Sequence, residues 1–195
     1  AKKRAQYINK SKFRAQYYND PNDSTEADID PAWFQYYDPK YLYRSSGHWY
    51  FKNSRLNVLA AIDFAYTVQK KSDFTTIAIV GVDSQNNYYV LDLDRFKTDK
   101  ISDYFKHILT LHQKYGFRTL VAEYTAAQSV IVKDLKENYI RTYGLALSVK
   151  DHKPTRHEGS KIERMNATLQ PRYENRQVWH YQGGNCQLLE QELQL

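Results

Sequence analysis

Residues 58–83, VLAAIDFAYTVQKKSDFTTIAIVGVD, decide how this chain is read. Val58, Leu59, Ala60, Ala61 and Ile62 form an apolar run of strand length, and Asp63 ends it. A carboxylate at the mouth of a core is costly unless something positive meets it. After the polar turn that contains Asp73, a second apolar run, FTTIAIVGVD, follows, and then NYYVLDLDRF beyond the turn-like SQNN. Three strand-like runs with such short connections predict an antiparallel meander.

Beyond the meander the pattern changes to alternation. In DKISDYFKHILTLHQKYG, apolar residues recur at helical spacing and Gly116 supplies a stop. His112 falls on that apolar stripe and reads as a core histidine. FRTLVAE is a short buried strand closing at Glu123, AAQSVIVKDLKENY a helix, and GLALSVKDH a further strand. GSKIERMNATL reads as a helix, RYENRQVWHY as a strand or extended piece, and NCQLLEQELQL as a last helix. Strand–helix alternation needs crossovers, and crossovers make strands parallel. The expected fold is therefore α/β: a ribonuclease-H-like mixed sheet of five or more strands with helices on both faces.

In that architecture the first and fourth strands are parallel neighbours, which places Asp63 and Glu123 at matching ends. Neighbouring strands lie about 4.8 Å apart, so the two carboxylates can share one cation. A divalent ion converts their repulsion into coordination, and an all-oxygen donor set favours Mg²⁺ or Mn²⁺. Each acid taken alone has a plainer reading, as a cap or a salt-bridge partner. Their pairing at matching strand ends is what makes the site. Asp73 is an accessory ligand or a hairpin cap. Asp83 and Asp94 read as turn and surface residues, and Asp92 as lying on the solvent face of its strand.

The chain has 195 residues and a formal net charge of +6, but the excess is local. Lys2, Lys3, Arg4, Lys10, Lys12 and Arg14 precede the first acid, Asp20; the remaining 22 basic residues balance 22 acidic ones. Nucleic-acid binding must therefore rest on local patches. The one such patch in the body is VKDHKPTRHEGSKIERMN, with Lys150, Lys153, Arg156, Lys161 and Arg164. Lys161 and Arg164 are three apart and share a helix face. A single cysteine, Cys186, excludes a disulfide framework, no GxxxxGK[ST] loop is present for ATP, and no apolar run suits a membrane span. Residues 1–55 read as a separate segment: a basic stretch that fits a solvated helix, an acidic connector, and the aromatic AWFQYYDPKYLYRSSGHWYF packed over the domain that begins at 56.

FRAQYYNDP, LNVLAAIDFAYTVQKKSDFTTIAIVGVD, YVLDLDRFKTD, LVAEYTAAQ and GSKIERMNATLQPRYENRQVWH together resemble the C-terminal nuclease domain of a tailed-phage large terminase subunit. The resemblance implies an endonuclease that cuts concatemeric double-stranded viral DNA by two-metal phosphodiester hydrolysis in the host cytoplasm, with Mg²⁺ or Mn²⁺ as cofactor. Asp63 matches the first-strand ligand, Glu123 the fourth-strand acid, Asp73 an accessory aspartate, and Lys161 with Arg164 a basic region that binds DNA. It further implies an ATPase domain in the same full-length protein, trailing into residues 1–55, and a portal, procapsid and small subunit as partners. The family's third acid is expected beyond Leu195, so the nuclease domain at 56–195 is expected to be truncated. Asp151 is the nearest substitute in the chain. The competing expectations are another ribonuclease-H-like nuclease, of resolvase or transposase type, and a catalytically silent DNA-binding or motor-coupling module.

Overall fold

The computed structural model of the protein describes residues 29–65, 74–153 and 161–194. They fall into two compact units, one spanning Asp38–Pro154 and the other combining 29–37 with 161–194. The first unit carries seven strands: β1 Leu42–Ser45, β2 His48–Phe51, β3 Ser54–Asp63, β4 Thr75–Val82, β5 Tyr88–Phe96, β6 Thr119–Glu123 and β7 Ser148–His152.

The meander expected from the sequence is β3, β4 and β5, paired antiparallel. Strand β6 then lies parallel to β3, and β7 parallel to β6. The central order is therefore β5-β4-β3-β6-β7, with β2 and β1 joined to the start of β3. Helix α1, Ile101–Tyr115, links β5 to β6. Between β6 and β7 run α2 (Ser129–Asp134), a π-helical segment (Leu135–Ile140) and α3 (Arg141–Tyr143). Both crossovers advance across the sheet in one direction. Right-handed connection therefore puts these helices on the same face, where Phe105 of α1 meets Tyr139 and Tyr143.

Alternation decides what faces those helices. In β3 and β6 the residues Ala60, Ile62, Leu120 and Ala122 are buried, as are Ile79 and Ile77, the register partners of Ala60 and Ile62 in β4, and Ile108 of α1. The other face of β3, at 55, 57, 59, 61 and 63, is exposed throughout. In β5 three consecutive residues, Tyr89, Val90 and Leu91, are buried. A bulge explains this: the pairing shifts between Ile79 and Val80, and the extra residue breaks the alternation.

Two sequence expectations are corrected here. The second half of the aromatic stretch before residue 56 is not a segment laid over the domain but the hairpin β1–β2. Its two-residue turn is Ser46–Gly47, both with positive φ, as a hairpin turn matching the strand twist requires. Tyr43 and Tyr50, register partners, stack at 5.3 Å across it. Asp92 and Asp94, both partly buried, turn toward α1. Asp92 accepts from the Tyr115 hydroxyl at 2.7 Å, and Asp94 lies 2.6 Å from His107 Nδ1, so both fasten β5 to α1.

Gly116 closes α1 as predicted. Its φ of 66° is left-handed, and its N–H donates to His112 O at 2.8 Å. An added Cβ would stand 2.6 Å from Arg44 Nη2, whose neighbouring Nη1 caps the helix end by donating to Lys114 O. Gly116→Ala is expected to cost about 1–2 kcal/mol, read as a lowered denaturation midpoint at unchanged slope.

The second unit is small. A 3-10 turn at Pro31–Trp33, helix α4 (Lys161–Glu174), strand β8 (Val178–Trp179) and helix α5 (Gly184–Glu192) surround His180, which is 0 % exposed. Tyr36 bridges His180 in parallel fashion, and the rings of Phe34, Tyr36 and Tyr173 enclose it. Among the described residues no helix is long and apolar enough to cross a membrane.

Candidate active site

Asp63 and Glu123 are direct register partners at the C-terminal ends of the parallel strands β3 and β6. Neither position is chosen by hydrophobic burial. Both fall on the face of their strand that turns away from the helices, after a neighbour (Ile62, Ala122) that supplies the core. Paired parallel strands bring such residues about 4.8 Å apart at the backbone, so two carboxylates project side by side from an open sheet end. The two readings made separately from sequence meet at this one place.

The same row continues into β7, where Glu123 is paired with His152. His152 Nε2 lies 4.0 Å from Glu123 Oε2. The strand ends therefore present Asp, Glu and His in sequence across three neighbouring strands. Sequence reading passed over His152. It selected the residue before it, Asp151, and one position along a strand reverses the face.

Asp151 is accordingly corrected. It pairs with Ala122, not with Glu123, and points toward the helix side. There Lys136 of the π-helical segment donates to it at 2.5 Å. That ammonium, assisted by the Tyr124 hydroxyl, holds the Asp151 carboxyl below its ordinary range even though partial burial opposes the shift. Asp151 is fastened to a lysine on the opposite face and does not stand in for a third acid beside Asp63.

What holds the pair together follows both acids in the chain. Gln128, 4 % exposed, lies in the 3-10 turn Ala126–Gln128 after β6. Its Nε2 donates to Phe64 O at 3.3 Å and Ala65 O at 2.8 Å, and its Oε1 accepts from Thr125 N at 3.0 Å. One buried amide thus ties the backbone just after Asp63 to the backbone just after Glu123. Thr75, 1 % exposed, reinforces the same corner by accepting from Ala65 N at 3.1 Å. The glutamine of LVAEYTAAQ carried no such signal in sequence, because Phe64 and Ala65 lie more than sixty residues away.

Of the basic residues, Lys153 follows β7 directly, with its ammonium 5.1 Å from the centre of the Tyr124 ring. Arg164 is half-buried on α4. Lys161 opens that helix, and its side chain lies outside the described residues, as do Asp73 and Arg156 entirely.

Of these three groups, the two carboxylates are the oxygen donors that suit a hard divalent cation. A second group, in the smaller unit, has a different character. His180, Cys186 and Glu190 place ligand-type atoms within 4.8 Å of one another. Yet His180 is engaged at both nitrogens, by Glu190 Oε1 at 2.8 Å and the Tyr173 hydroxyl at 2.6 Å. Burial, with the charge of Glu190, pushes the Cys186 thiol up to about 12. His180, Glu190 and Tyr173 are joined by hydrogen bonds in this core, with Cys186 close by.

A mixed sheet of order β5-β4-β3-β6-β7, with acids at the adjoining ends of its first and fourth central strands, defines the ribonuclease-H-like fold. Among solved structures, the chain is similar to the large terminase nuclease from thermophilic phage G20c. That match covers 84% of this chain and 76% of that one, with a TM-score of 0.50 and 15% identity. Lesser likenesses are to T. thermophilus RuvC in complex with a Holliday junction (TM-score 0.41, 11% identity, 59% of this chain and 76% of that one) and to the catalytic core domain of BIV integrase (TM-score 0.31, 16% identity, 58% and 64%). No family model and no curated protein matches the sequence.

Proposed function

We propose that the chain is a metal-dependent endodeoxyribonuclease that cuts concatemeric double-stranded DNA as part of a viral genome-packaging terminase. The observation that supports this most is the in-register pair Asp63 and Glu123 on adjacent parallel strands. Likeness of fold to a phage terminase nuclease over most of the chain adds to it. In this reading the protein works in the host cytoplasm. It is coupled to an ATPase domain of the same polypeptide, with a portal, procapsid and small subunit as further partners.

Asp63 and Glu123 would hold Mg²⁺ or Mn²⁺, two ions in the full reaction, with Asp73 as an accessory ligand. When bound, such ions supply an activated water and neutralise charge at the phosphate. The chain's own contribution is positional. Gln128 fixes the strand ends that carry the acids, and His152 sets the approach to Glu123 from the β7 side. Lys153, Arg156, Lys161 and Arg164 supply cations for the DNA backbone.

The test is nicking and linearisation of a supercoiled plasmid with Mg²⁺ or Mn²⁺ and with EDTA, beside a four-way junction substrate. Metal-dependent cutting of the plasmid supports the reading. Cutting confined to the junction would move the protein to the resolvase type, and binding without cutting to a silent module.

For the basic helix, Lys161→Ala with Arg164→Ala is expected to weaken duplex binding. It should also reduce the slope of log affinity against log salt by about 2, since each lost phosphate contact removes roughly 0.9. Anisotropy titrations in EDTA over a salt series measure it, and an unchanged slope would return both residues to a merely solvated face.

A further inference from the structure

At the end of β3 opposite the two acids, the larger unit has a cavity of about 740 Å³ whose charged lining is mainly basic. Its origin is a change of partner along one strand. Strand β2 pairs with β3 up to Trp49–Leu56, and β6 begins at Ala60–Leu120. Between those pairs, residues 57–59 of β3 are bonded to β4 alone. The notch left there is lined by Arg44, His48, Arg55 and Arg118.

The charge in the notch is not neutralised internally. Arg55 Nη2 meets His48 Nδ1 at 2.9 Å, a histidine where an acid would ordinarily stand. Arg44 donates to the backbone carbonyls of Gln113 and Lys114. Arg118 is exposed, and its side chain meets no carboxylate among the described residues. The one acid in the lining, Asp83, is engaged by Gln85 N, Asn87 N and Asn87 Nδ2 within its own turn.

We infer that this notch is a second contact for the phosphate backbone of duplex DNA, remote from the cutting site, with Arg55 on the same face of the sheet as the acids. The inference rests on the nuclease reading above. Arg55 and Asp63 are both exposed and eight residues apart on one strand, so alternation gives them the same face, about 26 Å from each other. At roughly 3.4 Å per base pair, about eight base pairs span that distance. A duplex lying along that face of β3 can thus reach the acids and Arg55 together, with Arg118 at the rim of the same notch, and arginine is the side chain best matched to phosphate. The contact is sequence-independent and sets the direction in which DNA leaves the acids.

The experiment measures binding of a duplex of about 24 base pairs, roughly three times that separation, to the full chain in EDTA, where no cutting intervenes. The variants are Arg55→Gln with Arg118→Gln, and Arg55→Lys with Arg118→Lys. The expected result is a loss of tenfold or more in affinity at about 0.1 M salt and a slope smaller by about 2 for the glutamine pair, with most of both retained by the lysine pair. Both arginines are exposed, so melting temperature should not move. Unchanged affinity and slope in the glutamine pair would overturn the inference. So would absence of duplex binding by the wild-type chain, or loss of polyglutamate binding with DNA affinity intact, which would make the notch a site for an acidic protein segment. The two readings fail separately. A chain that never cuts plasmid but loses DNA affinity in the glutamine pair retires the nuclease and keeps the notch. Normal cutting with unaltered affinity does the reverse.

Discussion

Asp63→Asn is expected to abolish metal-dependent cleavage while leaving the fold intact. The substitution keeps the size of the side chain and removes its charge. At an exposed strand end beside Glu123, that loses a cation ligand and relieves a like-charge pair at once. Removing one preorganised electrostatic contact at a reacting phosphate costs about 10²–10³-fold in rate, and loss of a ligand carboxylate belongs at the upper end or beyond. Glu123→Gln should do the same, and the double variant should lose little more than either single one, because groups that act as a unit are not additive. Plasmid nicking and thermal melting on the same preparations provide the check. Cleavage at the wild-type rate by Asp63→Asn would remove it from the site.

The largest effect on stability is expected at His180, in the smaller unit. The ring is 0 % exposed and bonded at both nitrogens, to Glu190 and to the Tyr173 hydroxyl, while Cys186 lies close by. His180→Leu keeps the volume approximately but strands a carboxylate and a hydroxyl in the core. Orphaning such groups costs about 3 kcal/mol in sum, or roughly 10 °C in melting temperature for a chain of this size. The pH dependence has a definite sign. Burial lowers the His180 pKa from its ordinary 6.5, against the pull of Glu190, so the unfolded chain binds the proton first. The contribution of this histidine is therefore complete above about pH 6.5 and declines as the pH falls through that value toward the folded one. The wild-type melting temperature should drop between pH 7.5 and 5.5, and His180→Gln, which has no proton to take up, should flatten that drop. An equal drop in both would assign the acid sensitivity to other groups.

Most of the central sheet could be read from the sequence because its elements obey simple periods. Strands β3, β4 and β6 bury alternate residues, α1 buries Tyr104, Ile108, Leu111 and Tyr115 at helical spacing, and Gly116 stops it. The approach of Asp63 to Glu123 followed from matching the chain order to the ribonuclease-H-like architecture, in which the first and fourth strands are parallel neighbours, as β3 and β6 are. What could not be read was register and facing. Asp151 and His152 are adjacent in sequence, and only the pairing of Glu123 with His152 shows which one joins the row. Asp92 looked solvent-facing because nothing in its own strand indicates that Tyr115 stands opposite. The β1–β2 hairpin was missed because its strands are half-exposed on both sides and its aromatics follow no single period. Its one readable mark was Ser46–Gly47.

The Gln128 amide has a consequence for which ion the protein would accept. Because one side chain grips the backbone behind both acids, the gap between Asp63 and Glu123 cannot widen without breaking buried hydrogen bonds. Mg²⁺ and Mn²⁺ are compact, with Mg²⁺–oxygen distances of about 2.0–2.1 Å, whereas Ca²⁺ takes more ligands at about 2.3–2.6 Å and prefers pliable surroundings. If the pair holds metal as proposed, this clamp would discriminate by size, favouring the smaller ions over calcium through stiffness of the frame and not through any difference in charge.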